Sequence, residues 1–149
     1  MDINSVIFSN VSNTEKKNAV ENASASDLMR ISETTLKRMV KERGSDNYYK
    51  DRKILFFGNV SNEWNAWAKS LELYNGKLFI NFYVQYSNTD TEDCEYMSKF
   101  LGSGEFRGAI KYTDMYDNPH TSYYRFDTND KAKVMRAICL AYIKECEKK

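Results

Sequence analysis

The stretch that most constrains the fold of this chain is WAKSLELYNGKLFINFYVQY, residues 67–86. At its centre, Asn75 and Gly76 form the strongest short signal for a two-residue β-turn, because both turn positions require a positive φ that these residues tolerate. A turn of two residues also fixes which residues of the two strands face each other. One face of the predicted hairpin pairs Leu73 with Leu78, Leu71 with Ile80, Lys69 with Phe82 and Trp67 with Val84.

The other face of the hairpin mixes polar and aromatic side chains, whereas the first face is almost wholly apolar. Turn chemistry and side-chain alternation therefore predict the same hairpin, with the apolar face in the core. We expect Phe79, Asn81 and Tyr83 to lie in a row on the outer face of the sheet. The predicted pairs on this face are Tyr74 with Lys77, Glu72 with Phe79, Ser70 with Asn81 and Ala68 with Tyr83.

Helices are predicted on both sides of this hairpin. Residues 1–23 are interpreted as an N-terminal segment of partial order, and residues 24–149 as a single domain. A helical pattern begins at Ser26 and ends at Gly44, and Ser32 is a second candidate N-cap that would divide it into two short helices. Four carboxylates within residues 90–95 predict the start of a helix that reaches Leu101, because a helix N-terminus favours negative charge.

Three further strands are predicted from short apolar or alternating runs. Residues 53–60 (KILFFGNV) are typical of a buried strand. Residues 106–113 alternate between two faces, and an Asp-Asn-Pro turn at 117–119 predicts that residues 121–126 return as their partner.

A closing helix follows from a capping residue and an apolar stripe. Asp127 or Thr128 is the candidate N-cap, and the apolar stripe of the helix must cover a sheet. The expected order is then helix, three strands, helix, two strands, helix. This order predicts an α+β fold: a single domain with a mainly antiparallel sheet of about five strands and helices packed on one face.

Composition limits the classes of function. The 149 residues carry 22 Lys and Arg against 21 Asp and Glu, which is a formal net charge of +1. This balance argues against a protein that coats nucleic acid or an anionic membrane by charge alone. The chain has no signal-like N-terminus, no long apolar run and three cysteines without disulfide or metal spacing, so we expect a cytoplasmic protein.

Catalytic motifs are missing from the sequence. His120 is the one histidine that could act as the base for a nucleophile. His120-Thr121-Ser122 resembles half of a two-histidine phosphoesterase site, and the second half is absent. Glu105, Asp114, Asp117 and Lys111 could form a metal-dependent nuclease site, but carboxylates beside a polar turn are more often solvated turn residues. We therefore expect no enzymatic activity, no metal and no cofactor.

Aromatic and basic residues on the predicted outer sheet face are the favoured partner-binding site. Rigid aromatics and arginines are typical of protein–protein contacts, and aromatic platforms beside cations also suit single-stranded nucleic acid. A protein partner is favoured over nucleic acid. The candidate partner-binding residues are Phe79, Asn81, Tyr83, Arg107, Lys111, Tyr123 and Arg125.

A second candidate site, for nucleic acid, is the basic segment of residues 31–53. Within it, Ile31–Met39 resembles the turn and recognition helix of a helix-turn-helix motif, although the distance from Leu28 to Ile31 is too short for the usual first helix. An amphipathic helix with a solvated basic face is the favoured interpretation. The candidate residues are Lys37, Arg38, Lys41, Arg43, Tyr48, Tyr49, Lys50, Arg52 and Lys53.

Compact single domains that are rich in Asn, Lys and Tyr and lack catalytic motifs are typical of phage and mobile-element accessory proteins, including anti-CRISPR proteins. The expected function is thus a non-catalytic binding protein that inhibits a host or defence protein by occupying its surface. The alternative is a nucleic-acid-binding regulator that uses the basic segment or an aromatic sheet face.

Overall fold

The computed structural model describes residues 2–46, 51–61, 66–85, 90–102 and 104–148, which form six helices and seven strands. The helices are α1 (Ile3–Val6), α2 (Asn13–Glu21), α3 (Ala25–Met29), α4 (Glu33–Arg43), α5 (Met97–Leu101) and α6 (Thr128–Glu147). The strands are β1 (Ser45–Asp46), β2 (Arg52–Ser61), β3 (Ala66–Tyr74), β4 (Lys77–Gln85), β5 (Asp90–Tyr96), β6 (Phe106–Thr113) and β7 (Pro119–Phe126).

The strands form two antiparallel sheets. The larger sheet has the order β1-β2-β3-β4-β5, and the smaller sheet is the β6–β7 hairpin. The predicted α+β fold, with a mainly antiparallel sheet of about five strands and helices on one face, is confirmed. The strands that form the larger sheet differ from the expected ones. β5 was predicted as helix, and β6 and β7 were predicted to extend the larger sheet.

The β3–β4 hairpin has the predicted turn. Asn75 and Gly76 have φ values of 54° and 76°, so both occupy the left-handed region that a type I′ turn requires. The predicted register is confirmed for the five residue pairs nearest the turn, from Tyr74 opposite Lys77 onwards. The pairs predicted beyond these are wrong, because a β-bulge at Lys69 shifts the register by one residue.

The bulge changes which side chains of β3 reach the core. Ala66 and Ala68 occupy the buried positions that were expected for Trp67 and Lys69, because a one-residue shift moves each following side chain to the other face. A lysine on a buried apolar face would be unfavourable. The Lys69 ammonium instead lies 3.6 Å from the centre of the Tyr83 ring on the outer face.

The core lies between the inner face of the larger sheet and helices α4 and α6. Asp127 caps α6 as predicted, and it exchanges hydrogen bonds with Asp130 in a capping box. Apart from Trp67 and Lys69, which the bulge moves to the other face, the predicted apolar face of the hairpin is buried, with Leu73 partly buried. The central core residues are Leu71, Leu78, Ile80, Phe82 and Val84 of the hairpin, Leu36, Met39 and Val40 of α4, and Val134, Met135, Ile138 and Tyr142 of α6.

The acidic segment of residues 90–95 is a strand, so the predicted helix start there is wrong. Residues 90–96 pair with residues 79–85 of β4, and the helix begins only at Met97. Backbone hydrogen bonds to a neighbouring strand outweigh the weak strand preference of Asp and Glu, which depends strongly on context.

β2 is exposed on one face, so the prediction of a buried strand over residues 53–60 is wrong in that respect. Leu55 is buried, whereas Phe56 is 62% exposed. A strand with one covered face alternates buried and exposed residues, and the continuous run Leu-Phe-Phe conceals this alternation. Gly58, with φ of 99°, lies in a bulge where the register against β3 changes.

The N-terminal residues pack against the helices. Ser32 caps α4, which confirms that the helical segment is divided into α3 and α4. The Asn4 side chain connects α1 to this junction: its Oδ1 accepts from the Ser32 backbone N–H (2.8 Å) and the Thr35 hydroxyl (2.7 Å), and its Nδ2 donates to the Arg30 carbonyl (3.0 Å). Among the described residues of this segment, four buried apolar residues lie in the same core, namely Ile3, Ile7, Val20 and Ala23.

The β6–β7 hairpin packs on the inner face of the larger sheet through aromatic rings. The Phe82 ring lies 4.8 Å from Tyr124 and 6.0 Å from both Phe106 and Phe126. Phe100 of α5 extends this cluster, 5.3 Å from Phe106. Because the two sheets face each other at Phe82, their remaining faces point in opposite directions.

Candidate partner-binding surface

The far side of the β6–β7 hairpin presents side chains that point away from the core. Phe106, Tyr124 and Phe126 point towards Phe82, and successive residues of a strand point to opposite faces. We call the opposite face of this hairpin the hairpin surface. It consists of three cross-strand pairs: Arg107 with Arg125, Ala109 with Tyr123, and Lys111 with Thr121.

A concave region of about 510 Å³ lies on this surface. Ala109 stands opposite Tyr123, so a small side chain leaves space beside a large ring. Tyr123 is 66% exposed. A rigid exposed ring beside a concavity is suited to anchor a partner, because it loses little conformational entropy on binding. The concave region is lined by Arg107, Gly108, Ala109, Tyr123, Tyr124 and Arg125.

Gly108 lets the hairpin pack closely on the core. A Cβ atom at this position would lie 2.4 Å from the Tyr124 hydroxyl oxygen and 2.7 Å from the adjacent ring carbon. The Tyr124 ring therefore lies directly over the glycine of the facing strand. Any other residue at position 108 would clash with this ring. This contact fixes the buried side of the hairpin and, through the backbone, the positions of the residues on the exposed side.

Three basic side chains lie on the hairpin surface, namely Arg107, Lys111 and Arg125. Arg107 and Arg125 face each other directly across the two strands, and Lys111 lies on the same face. The Glu105 carboxylate lies beside both arginines, 3.9 Å from Nη1 of Arg107 and 3.8 Å from Nη1 of Arg125. These distances allow ion pairing but exceed those of hydrogen bonds.

The tip of the hairpin is organised by Asp114. Its carboxylate accepts hydrogen bonds from the backbone N–H groups of Tyr116 (2.8 Å) and Asn118 (2.9 Å) and lies 2.7 Å from Nε2 of His120. The hydrogen bond with His120, followed by that from the Asn118 backbone, lowers the pKa of Asp114 to about 2. The His120 ring also stacks on Tyr112, with centroids 5.0 Å apart.

Comparison with protein-family models, curated proteins and solved structures found no match to this chain.

No three His, Cys, Asp or Glu side chains among the described residues lie close enough together to hold a metal ion. None of the helices in the described ranges is both long and apolar enough to cross a membrane. Cys139 is buried, and burial raises the pKa of its thiol to about 12, which makes it a weak nucleophile.

The seven sequence-predicted partner-binding residues do not form one surface. Arg107, Lys111, Tyr123 and Arg125 lie together on the hairpin surface. The other three lie on the outer face of the larger sheet, which points in the opposite direction. The expectation of one continuous site is wrong because β6 and β7 stack on the larger sheet rather than extending it. The residues on the far side are Phe79, Asn81 and Tyr83.

The three residues on the outer face of the larger sheet are engaged with their neighbours. Phe79 packs against Tyr96, with ring centroids 4.6 Å apart and the ring planes tilted by 31°. Asn81 is buried and donates a hydrogen bond to the Ser70 hydroxyl (3.1 Å). Tyr83 lies beneath the Lys69 ammonium. These contacts make this face less accessible to a partner than the hairpin surface.

Two arginines of the basic segment are also engaged within the protein. Arg38 forms an ion pair with Glu42 (2.8 Å) and lies over the Phe8 ring, and Arg52 lies over the Tyr74 ring.

The remaining candidates of this segment have different positions. The Lys53 ammonium lies 3.9 Å from the Asp46 carboxylate. Lys37, Lys41 and Arg43 are on α4, the last two exposed. Tyr48, Tyr49 and Lys50 lie outside the described residues.

Sequence reasoning did not include Met115 and Tyr116 in the candidate site. Both side chains are strongly exposed at the hairpin tip, beside the turn in which Asp117 has φ of 62°. Their position next to the Asp-Asn-Pro turn is a signal that could have identified them, because a residue at a hairpin tip has few neighbours to cover it.

Proposed function

We propose that this protein is a non-catalytic binding protein that acts by occupying the surface of a protein partner, and that the hairpin surface makes the contact. The observation that carries the proposal is the position of Tyr123, exposed beside a concave region and flanked by arginines. Tyrosine and arginine dominate the energetics of protein–protein contacts. Gly108 and the aromatic cluster hold this surface on a rigid base, which favours binding because little order is lost.

The biological role that fits this proposal is that of a phage or mobile-element accessory protein. Such a protein would act in the cytoplasm of the producing or infected cell and would inhibit a host or defence protein, as anti-CRISPR proteins do. The support is the compact α+β domain together with a sequence that lacks the usual catalytic motifs. Occupying a surface needs only a stable scaffold and a complementary face.

The alternative function is a nucleic-acid-binding regulator that uses the basic segment. Exposed Lys41 and Arg43 on α4 favour it. Against it, Arg38 and Arg52 are already engaged by carboxylates and rings of the protein itself. Phosphate binding would have to replace those contacts, so a protein partner is favoured.

Affinity capture from the native host, with and without nuclease, tests the proposal. We expect the same protein to be captured by the wild type in both conditions, since the contact is with protein rather than nucleic acid. Tyr123→Ala should lose it, because the variant removes the exposed anchor without touching the core. Phe56→Ala is the matched control, since Phe56 is an aromatic of similar exposure on β2 of the larger sheet.

Two results would contradict the proposal. Loss of the captured protein on nuclease treatment would favour the nucleic-acid-binding regulator. Equal capture by wild type and Tyr123→Ala, with both folded by thermal unfolding, would remove the hairpin surface as the site.

A further inference from the structure

We propose that the tip loop of the β6–β7 hairpin, residues 114–118, inserts Met115 and Tyr116 into an apolar cleft of the protein partner. This inference rests on the proposed function, because it adds a second contact with the same partner and describes the partner's surface there. It follows from the exposure of the two side chains, from the closed shape of the loop that presents them, and from the carboxylates beside them.

Met115 and Tyr116 are 85% and 77% exposed, more than any other large apolar side chain in the part of the chain that the structure describes. Tyr123 of the same hairpin is the next most exposed, at 66%. Single exposed apolar residues are ordinary on protein surfaces, whereas a contiguous group of them marks a site of interaction. The two neighbouring side chains of the tip loop therefore require an explanation beyond the fold.

The chemistry of the turn does not need these two apolar residues. Turns favour Asp, Asn, Gly and Pro, which preset the backbone or bond to it. Asp114, Asp117 and Pro119 supply that chemistry at the flanking positions. The Asp117 N–H closes the turn by donating to the Asp114 carbonyl (3.0 Å), and Met115 and Tyr116 occupy the two positions between them. Their side chains therefore stabilise neither the turn nor the core.

Hydrogen bonds hold the tip loop in one shape before a partner binds. The Asp114 N–H donates to the Asn118 carbonyl (3.0 Å), and the Asn118 N–H donates to the Asp114 carboxylate (2.9 Å). The Tyr116 N–H donates to the same carboxylate (2.8 Å). Asp117, with φ of 62°, adopts the left-handed conformation typical of the last residue in a short hairpin loop. Because the backbone is already fixed, little order is lost when the side chains bind.

The shape of the loop determines the shape of the partner's site. Met115 and Tyr116 lie beyond the last cross-strand pair of the hairpin, Thr113 with Pro119. A projecting end buries both side chains only in a concave site, because a flat surface would leave them partly in water. Aromatic side chains contribute most to binding where they fill a desolvated pocket, and the flexible thioether of methionine adapts to irregular walls. The matching site is a cleft lined by apolar side chains.

Charge favours a protein cleft over a lipid surface, the other apolar environment that a projecting Met and Tyr could enter. The tip loop carries two carboxylates, Asp114 and Asp117, and neither Lys nor Arg. Anionic membranes attract Lys and Arg, and a carboxylate is costly to move into an apolar environment. A protein can instead place N–H donors at the rim of its cleft, where they would bind the exposed Asp117.

Substitutions in the tip loop test the inference. The protein captured by affinity from the native host would be purified and titrated with fluorescently labelled full-length variants, read by anisotropy. Tyr116→Ala should weaken binding roughly 10- to 100-fold, because an aromatic anchor is lost. Tyr116→Phe should bind within about twofold of the wild type, because the ring still fills an apolar site. Phe56→Ala, as the control, should leave the affinity unchanged.

Photo-cross-linking locates the site on the partner. The full chain, with p-benzoylphenylalanine in place of Tyr116, would be irradiated with the same captured protein. We expect attachment to residues that line an apolar concave site of that protein. Attachment to a flat, polar part of its surface would overturn the cleft. Thermal unfolding of every variant checks the fold, and it should change little because both side chains are strongly exposed.

The outcomes separate this inference from the proposed function. Weaker binding by Tyr123→Ala with wild-type affinity in Tyr116→Ala and Met115→Ala would overturn the tip contact and leave the hairpin surface as the site. The reverse pattern would support the tip contact and remove the hairpin surface. Wild-type affinity in all three variants, or failure to capture any protein, would overturn both.

Two further results would overturn the apolar protein cleft alone. Equal losses in Tyr116→Phe and Tyr116→Ala would mean that the hydroxyl group, rather than the ring, makes the contact. Co-sedimentation of the wild type with vesicles of phosphatidylcholine and phosphatidylserine, abolished by Tyr116→Ala, would favour a lipid surface instead.

Discussion

Lys131 is 1% exposed, although lysine is among the residues that are least often buried. Its ammonium donates to the carbonyl oxygens of Gly102 and Gly104, each at 2.7 Å. Burial lowers the pKa of Lys131, and these bonds compensate by satisfying the charge inside the protein. The side chain thereby connects α6 to Gly102 and Gly104, which precede β6.

Phe82 and Phe79 provide a test of the core at the level of single residues. Phe82 is fully buried between the two sheets, so Phe82→Ala should lower the free energy of unfolding by about 3–5 kcal/mol. Phe79 is half-buried and mainly contacts the Tyr96 ring, so Phe79→Ala should cost only about 1–2 kcal/mol. Urea unfolding of the two variants measures the difference. Equal losses would mean that both faces of the larger sheet are packed alike.

At the scale of the element, the tip of the β6–β7 hairpin depends on the ionised form of Asp114. The pKa of this carboxyl is lowered from 3.8 in the unfolded chain to about 2, chiefly by the hydrogen bond with His120. A lowered pKa means that the stabilising contribution is present above the unfolded value and is lost as the pH falls through the folded value. The stability of the wild type should therefore decrease between about pH 4 and about pH 2 relative to Asp114→Asn.

Thermal unfolding of the two proteins across this pH range checks the prediction. Asp117→Asn is the matched control, because it changes the same charge in the same turn and keeps the hydrogen bonds of Asp114. Its stability should follow that of the wild type. A constant difference between the wild type and Asp114→Asn at every pH would contradict the lowered pKa.

Local signals explain which elements the sequence predicted. The Asn75-Gly76 turn and the Asp127 cap act through the backbone of a few neighbouring residues, so both could be recognised without knowledge of the rest of the fold. The bulge at Lys69 could not be recognised in this way. Ala66-Trp67-Ala68-Lys69 has small residues on one face and large residues on the other, and only the packing of the folded chain decides which face enters the core. Residues 90–95 form a strand because they pair with β4, a contact that the local sequence does not reveal.

At the scale of the whole molecule, the candidate site was half predicted. The alternation along β6 and β7 correctly assigned Arg107, Lys111, Tyr123 and Arg125 to one exposed face. It could not show that this hairpin stacks on the larger sheet, because stacking depends on contacts between distant aromatic residues such as Phe82 and Phe126. Phe79, Asn81 and Tyr83 of the larger sheet were therefore predicted to share a surface with residues of the hairpin, from which they are separate.

The net charge of the molecule gives a test of the alternative function. Binding through the basic segment would release counterions and weaken steeply with salt. We expect weak or no binding of a fluorescent oligonucleotide at both about 50 mM and about 200 mM salt, because the chain is nearly neutral. Tight binding with a steep salt dependence would instead favour the nucleic-acid-binding regulator.

The contact between Gly108 and Tyr124 distinguishes the positions of the β6–β7 hairpin that tolerate substitution from those that do not. A side chain at position 108 would displace Tyr124 from the aromatic cluster. The neighbouring positions 107, 109, 111, 121 and 123 point away from that cluster, so their substitution changes the exposed chemistry without disturbing the packing. Under the proposed function, mutation of this exposed face would change which partner the hairpin binds while its scaffold stays the same.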